Sequence, residues 1–485
     1  MIGIPPTSPP PREARRPGSA GIRPLVSAGT RRLVLVLLLG AVLIPGSIHA
    51  QDRFPRPEFQ SDYEAPGTSI PKPREGLYEY LDTAVLLICL ILSTLFALKV
   101  RSRTAIFLLM LFSLGYFGFW RQGCVCPIGA IQNVVLVFSD PGYRIPLVVI
   151  AFFTLPLLFT LFFGRTFCAA VCPLGAIQDL VVLRPIRIPG WLSRPLSMIP
   201  YAYLGAAVLA AATGAGFLIC RFDPFVGIFR RAAHLPMVLF GAGILLLGTV
   251  IPRPYCRFLC PYSVLLRWVS RFSKWHLRIS PERCIQCRLC EGSCPFDVIQ
   301  KPTDQPIPEP KAAGIRRLLI LLILLPVLIS AGGFLGSRLT IPLSRLHETV
   351  RLAERVLQEE RGEITETTLD SDTFREGERT IPELVEEALW IRRQMRIGAI
   401  GVGAFLGLAF GLTLIGLSVR RKRDEYQPDK AACFSCGRCI ESCVMERARR
   451  AESGQAEPVR PVQPVQNTHP LRKSPNQRKT QELEA

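Results

Sequence analysis

Cys256 to Pro295 reads CRFLCPYSVLLRWVSRFSKWHLRISPERCIQCRLCEGSCP, and the organisation of the whole chain follows from this stretch. It holds a C-x3-C-P pair at Cys256 and Cys260 and a complete C-x2-C-x2-C-x3-C-P run at Cys284, Cys287, Cys290 and Cys294. Thiolates at the second spacing hold iron-sulfur cubanes, three on one cluster and the fourth reaching its neighbour. Such a run therefore asks for a second one elsewhere in the chain.

CFSCGRCIESC supplies it, with Cys433, Cys436, Cys439 and Cys443, and with Val444 where proline is usual. The two runs are far apart in sequence, yet on one side of a membrane they can fold together as a split α+β two-cluster ferredoxin domain. On the usual crossed ligation, Cys284, Cys287, Cys290 and Cys443 bind one 4Fe-4S cluster, and Cys433, Cys436, Cys439 and Cys294 the other. Structural zinc is the competing reading. It is disfavoured because four evenly packed cysteines exceed the two-plus-two pattern of zinc sites.

The remaining composition points to a membrane. The 485 residues are 49% hydrophobic, which implies membrane segments more than one large soluble core. The net charge of +20 is concentrated beside apolar runs, the positive-inside pattern, and not spread as nucleic-acid binding would require. Twelve of the 16 cysteines fall in metal-type spacings, so disulfides are the weaker reading. No C-x-x-C is followed by His, and His49, His234, His276, His347 and His469 all lie outside the cores of the apolar runs. Neither c-type nor bundle-held haem is expected.

Residues 1–50 carry an Arg-rich start, an apolar stretch from Leu33 to Ile48 and a small residue at Ala50. They read as a signal peptide or an N-terminal anchor. Residues 51–80 read as an extracytoplasmic linker. Seven apolar runs follow: Leu81 to Val100, Thr104 to Trp120, Ile145 to Phe163, Ile199 to Ile219, Leu235 to Ile251, Leu318 to Gly336 and Ile397 to Val419. Each approaches the length needed to cross about 30 Å of hydrocarbon. The expected fold is a polytopic α-helical membrane protein with about seven mature transmembrane helices: a five-helix domain over 81–251, the first ferredoxin half within 252–317, and the second over 420–450. Basic residues at alternate exits place both ferredoxin runs on the cytoplasmic side of a bacterial inner membrane.

Three further features stand out. Residues 337–396 carry apolar residues at helical spacing (Leu343, Leu346, Val350, Ala353, Val356, Leu357) and mixed charge, and predict an extracytoplasmic helical hairpin. Gly403, Gly407 and Gly411 predict close helix packing. The polar residues 451–485 read as a disordered tail.

An internal repeat is visible at Gly123 (GCVCPIGAIQNVVLVF), Phe167 (FCAAVCPLGAIQDLVVL) and Tyr255 (YCRFLCPYSVLLRWV). We call each copy an elbow. Cys168, Cys172, Cys256 and Cys260 together offer four thiolates, enough for a third 4Fe-4S cluster, with buried packing as the alternative. Cys124 and Cys126 are the odd copy; with Cys220 they are candidate ligands across the bilayer from their relatives, or inert thiols. Cys89 reads as packing.

These motifs, over roughly Thr104 to Val444, resemble the membrane polyferredoxins of the NapH and NosR type. The resemblance implies electron passage from quinol or a cytoplasmic donor toward a periplasmic or membrane redox protein, with lipid and quinone as candidate non-protein partners. NosR-like members carry a flavin-binding domain before the helices, whereas here only 51–80 stands in that place, without the flavinylation motif. No covalent flavin is expected. A branch with the same elbows serves metalloenzyme maturation or assembly, which is the rival reading, and a redox-sensing regulatory membrane protein is a third.

Overall fold

In hydrocarbon a chain segment must satisfy its own backbone polar groups, and in the computed structural model the apolar runs are helices. The structure describes residues 76–123, 126–230, 235–279, 284–303, 310–419, 423 and 425–452. The signal or anchor of 1–50, most of the linker, Cys124 and nearly all of the tail lie outside the described residues.

The first helix, α1 (Gly76–Leu98), starts five residues before the expected span, and α2 (Arg103–Ser113) continues as a π-helical segment, Leu114–Trp120. Then come α3 (Pro127–Ser139), α4 (Leu147–Phe163), α5 (Thr166–Ala170), α6 (Pro173–Val181), α7 (Gly190–Leu196) and α8 (Ile199–Ala212). The short α9 (Leu218–Phe222) and α10 (Pro224–Arg230) lead to α11 (Leu235–Gly248), α12 (Pro254–Phe258) and α13 (Tyr262–Ser270). The first ferredoxin half contains α14 (Leu289–Ser293) and β1 (Ile299–Gln300).

Beyond it run α15 (Lys311–Arg338), α16 (Thr340–Ser344), α17 (Glu348–Glu360), α18 (Leu369–Glu376) and α19 (Ile381–Ser418). The second half holds β2 (Gln427–Pro428), α20 (Arg438–Ser442) and α21 (Val444–Glu452).

Five helical stretches among the described residues are long and apolar enough to cross a membrane: Gly76–Leu98, Arg103–Trp120, Gly190–Ala212, Ala312–Arg338 and Ile381–Ser418. Two of the expected spans are shorter than their apolar runs. The run Ile199 to Ile219 leaves the helix at Ala212, where Gly214 and Gly216 take φ of 73° and 111°, a region that favours glycine. α11 stops at Gly248 after 14 residues, about 21 Å of helix, well short of a bilayer core on its own. α11 is followed directly by the elbow at Tyr255, and α8 by the short α9 that carries Cys220.

α15 and α19 lie against each other along a glycine seam. A Cβ added at Gly332, Gly336, Gly403 or Gly407 would collide with the partner helix backbone at Gly403, Ala399, Gly332 and Leu328 respectively. The expected glycine packing is thus present, and it brings the two backbones close enough for dispersion contacts that larger side chains would prevent. α19 is 38 residues long and joins the second arm of the expected hairpin to the membrane span without a break. Val350, Ala353 and Val356 of α17 are buried against Leu384, Ala388, Ile391 and Met395 of that arm, while Leu346 stays 47% exposed.

Candidate metal centres

The two ferredoxin halves meet through very little backbone. β1 and β2 pair antiparallel, Ile299 opposite Pro428 and Gln300 opposite Gln427. Asp429 N–H donates to Val298 O at 2.9 Å and Thr303 N–H to Arg423 O at 2.9 Å, which joins the chain before α15 to the chain after α19. Each Cys-x2-Cys loop winds the same way: Gln286 and Ser435 both have φ of 53°, and Arg288 and Gly437 have φ of 62° and 76°. Left-handed backbone at non-glycine residues costs energy and persists where the surroundings require it. Here it turns the loops so that α14 and α20 present Cys290 and Cys439.

The result is two cavities. One, of about 370 Å3 including its open mouth, is lined by Cys284, Cys287, Cys290 and Cys443. The other, of about 310 Å3, is lined by Cys294, Cys433, Cys436 and Cys439. Each collects three cysteines from one half and the last cysteine of the other. Among the described residues no three His, Cys, Asp or Glu side chains converge on a single ion position. A zinc site with bonds of about 2.3 Å needs such convergence. Each cavity gathers the four thiols that a cubane requires.

The elbows in the membrane domain are built on proline. Cys172 and Cys260 each stand just before a proline at the start of a returning helix, α6 or α13. Proline there costs no hydrogen bond, since the first N–H groups of a helix are unpaired anyway. Ser93 Oγ of α1 donates to Thr166 O at 2.8 Å and pins the first of these elbows. Gln178 ties it to the second: its Oε1 accepts from Tyr255 N–H at 3.0 Å, and its Nε2 donates to Leu174 O at 2.7 Å and Cys256 Sγ at 3.4 Å. Cys168, Cys172, Cys256 and Cys260 all lie within electrostatic range of one another.

Two buried arginines stand between this quartet and the second ferredoxin cavity. Arg165 and Arg253 are 1% and 0% exposed. The Arg165 guanidinium lies 4.3 Å from the centre of the Phe434 ring, inside the Cys433 loop, with Nη2 3.7 Å from Cys168 Sγ. Arg253 donates to Cys168 O and faces the rings of Phe434 and Phe296 at 5.6 and 5.9 Å. Our reading of the sequence counted both only as basic residues at helix exits and missed their place beside the cysteines, although the signal is there: an arginine stands three residues before Cys124, Cys168 and Cys256 alike.

It missed Asp179 as well, which receives Arg103 at 2.7 Å, Arg438 at 3.1 Å and Arg253 at 3.5 Å. At the far side of the same half, Glu446 of α21 meets Arg101 at 2.7 Å and Arg449 at 2.9 Å. Burial pushes the Glu446 carboxyl up, but the Arg449 and Arg101 guanidinium groups outweigh it and hold it below the usual glutamate range.

A buried cation favours the more negative, reduced form of a nearby cluster. At an effective dielectric of about 20, one charge roughly 8 Å away is worth about 2 kcal/mol, or about 90 mV for one electron. Arg165→Met is therefore expected to lower the potentials of the centres on both sides of it by tens of millivolts. An EPR-monitored redox titration checks this, and unchanged potentials would refute it.

Cys126 and Cys220 do not lie a bilayer away from their relatives, as their expected position at the outer face implied. Their elbow also turns inward, and Cys126 comes within charge range of Cys220, Cys172, Tyr255 and Tyr262. The physical reason is that α3 begins inside the bundle, with Ile128 and Ile131 buried in the main core, while α9 is anchored there through Ile219 and leaves Cys220 exposed. Cys89 is buried in α1.

Known 4Fe-4S proteins match parts of the chain. Residues 145–196 and 233–280 match one 4Fe-4S binding domain model, and residues 277–300 match a second. The chain is 39% identical over 74 residues to an uncharacterized protein of Methanocaldococcus jannaschii, covering 15% of this chain and 28% of that one. It is 27% identical over 117 residues to YccM of Escherichia coli, described as an electron transport protein, covering 22% and 33%. It is 31% identical over 123 residues to NirI of Paracoccus denitrificans, covering 24% and 18%. The chain thus spans a third or less of each of these relatives, and no solved structure matches it. Helices, elbows and matched domains together define a membrane protein with 4Fe-4S binding domains. More particularly, the matches support a 4Fe-4S membrane protein similar to the NapH and NosR type.

Proposed function

We propose that the chain is a membrane-bound electron-transfer protein that links a quinol or cytoplasmic donor to a respiratory redox partner through at least three 4Fe-4S clusters. Cys284, Cys287, Cys290 and Cys443 hold the first, Cys294, Cys433, Cys436 and Cys439 the second, and Cys168, Cys172, Cys256 and Cys260 the third. The observation that carries this reading is the crossed lining of the two cavities, three cysteines of one run with the last of the other. The ferredoxin halves face the cytoplasm, a reading supported by the basic residues at their helix exits.

Bound clusters supply one-electron carriers. The chain's own residues do the rest. The β1–β2 pair and the arginines around Asp179 hold the ferredoxin halves at a constant distance from the elbows. Phe296 and Phe434, with ring centres 4.8 Å apart, fill the space beside the second cavity and exclude water there. Arg165 and Arg253 offset the negative charge that arrives with each electron. In proteoliposomes with the basic side enclosed with dithionite, an impermeant external oxidant should be reduced only when the protein is present. Anaerobic preparations should contain at least about twelve irons per chain. Iron-free preparations, or no reduction across the bilayer, would defeat the proposal.

A further inference from the structure

The elbow pair that includes Cys126 repeats three positions of the Cys168–Cys260 quartet, one of them with its donor exchanged, while the position of Cys168 has no counterpart among the described residues. We infer that Cys126, Cys220 and Asp223 are ligands of an additional iron-sulfur cluster, with Asp223 in the position that Cys260 holds in the neighbouring site. This rests on the reading that the quartet binds a cluster.

The correspondence is residue by residue. Cys126 precedes Pro127 at the start of α3, as Cys172 precedes Pro173 at the start of α6, and the helices open PIGAIQ and PLGAIQ. The sixth residue after each cysteine is a fully buried glutamine, Gln132 or Gln178. Gln132 Oε1 accepts from Ile219 N–H at 3.0 Å, as Gln178 Oε1 accepts from Tyr255 N–H at 3.0 Å. Ile219 directly precedes Cys220, and Tyr255 directly precedes Cys256. The same clamp therefore sets Cys220 against the first turn of α3, where a Cβ on Gly129 would stand 3.4 Å from Cys220 Sγ. Downstream, Cys256 is followed by Cys260 and Pro261, and Cys220 is followed by Asp223 and Pro224, which opens α10. The sequence signal is C-x2-D-P, a fourth elbow that a search for paired cysteines passes over.

Two observations point to something bound. Gln178 Nε2 reaches both Leu174 O and Cys256 Sγ, whereas Gln132 Nε2, buried in the equivalent position, has no partner among the described residues. A buried amide donor left without an acceptor is destabilising. Ligated thiolate or cluster sulfide would remove that cost. The second is Asp223 itself, 4% exposed in an apolar bundle, where carboxylates are rare. Its Oδ1 accepts from Phe225 N–H at 2.9 Å, and its Oδ2 lies 3.5 Å from the Tyr255 hydroxyl. Tyr255, the residue before Cys256, thus touches both sites, which makes this centre the next step beyond the quartet.

Iron and sulfide counts on the full chain, purified without oxygen, test this together with EPR. The wild type should carry about sixteen irons, and a Cys126→Ser/Cys220→Ser double variant about twelve with the other signals unchanged. Asp223→Cys should keep about sixteen irons and alter the spectrum of one cluster, while Asp223→Ala should lose that signal. Equal iron in the wild type and the double variant would overturn the site. Asp223→Ala with unaltered iron and spectra would overturn the carboxylate ligand. A wild type without iron would overturn the underlying electron-transfer reading as well, so the two failures are distinguishable.

Discussion

Cys443→Ser is expected to damage the cluster of Cys284, Cys287 and Cys290, and to leave the one held by its own sequence neighbours intact. Cys443 lines the cavity of the first run, while Cys294 lines the cavity of the second. Cys443→Ser and Cys290→Ser should therefore perturb the same EPR signal, and Cys294→Ser and Cys439→Ser the other. Each should lower the iron content by up to about four atoms per chain. If Cys443→Ser instead groups with Cys439→Ser, the crossing is wrong and the two halves bind their clusters separately. The crossing matters because clusters bound in this way would tie residues on either side of α15 and α19 together, and the fold would then depend on the cofactors.

The second large effect is expected at Asp179. This carboxylate is 5% exposed and receives guanidinium groups from α2, from the residue before α12, and from α20 of the second ferredoxin half. Removing one partner of a buried ion pair leaves an uncompensated charge and costs about 3–5 kcal/mol. Asp179→Ala strands three cations together, so it should reach the upper end of that range. Arg438→Met should cost less, because Asp179 retains two partners. Thermal unfolding in detergent, with limited proteolysis at the second half, measures both. A melting temperature for Asp179→Ala equal to that of wild type would remove Asp179 from its place as the joint between elbow and ferredoxin. Arg103 adds a direct link, donating to Cys436 O at 3.0 Å, so loosening this joint should also disturb the second cavity.

Cysteine spacing is a local property, and it carried most of the chemistry. The runs at Cys284 and Cys433, the pairs at Cys168 and Cys256, and the glycine spacing of α19 were legible because ligand geometry and helix packing translate directly into intervals along the chain. The apolar runs were legible for the same reason, as lipid permits few backbone conformations. Their ends were not, since hydropathy does not register that Gly214 and Gly216 stop α8 or that a proline starts a new helix after Cys172.

What stayed hidden depended on contacts between distant segments. No interval in the chain says that Gln132 meets Ile219, that Asp179 collects arginines from three elements, or that Arg165 lies over Phe434. Intervals along the chain told which side chains are candidates to hold iron. Folding decided which of them meet, because a buried cation, amide or carboxylate is stable only beside a partner, and that partner comes from elsewhere in the chain.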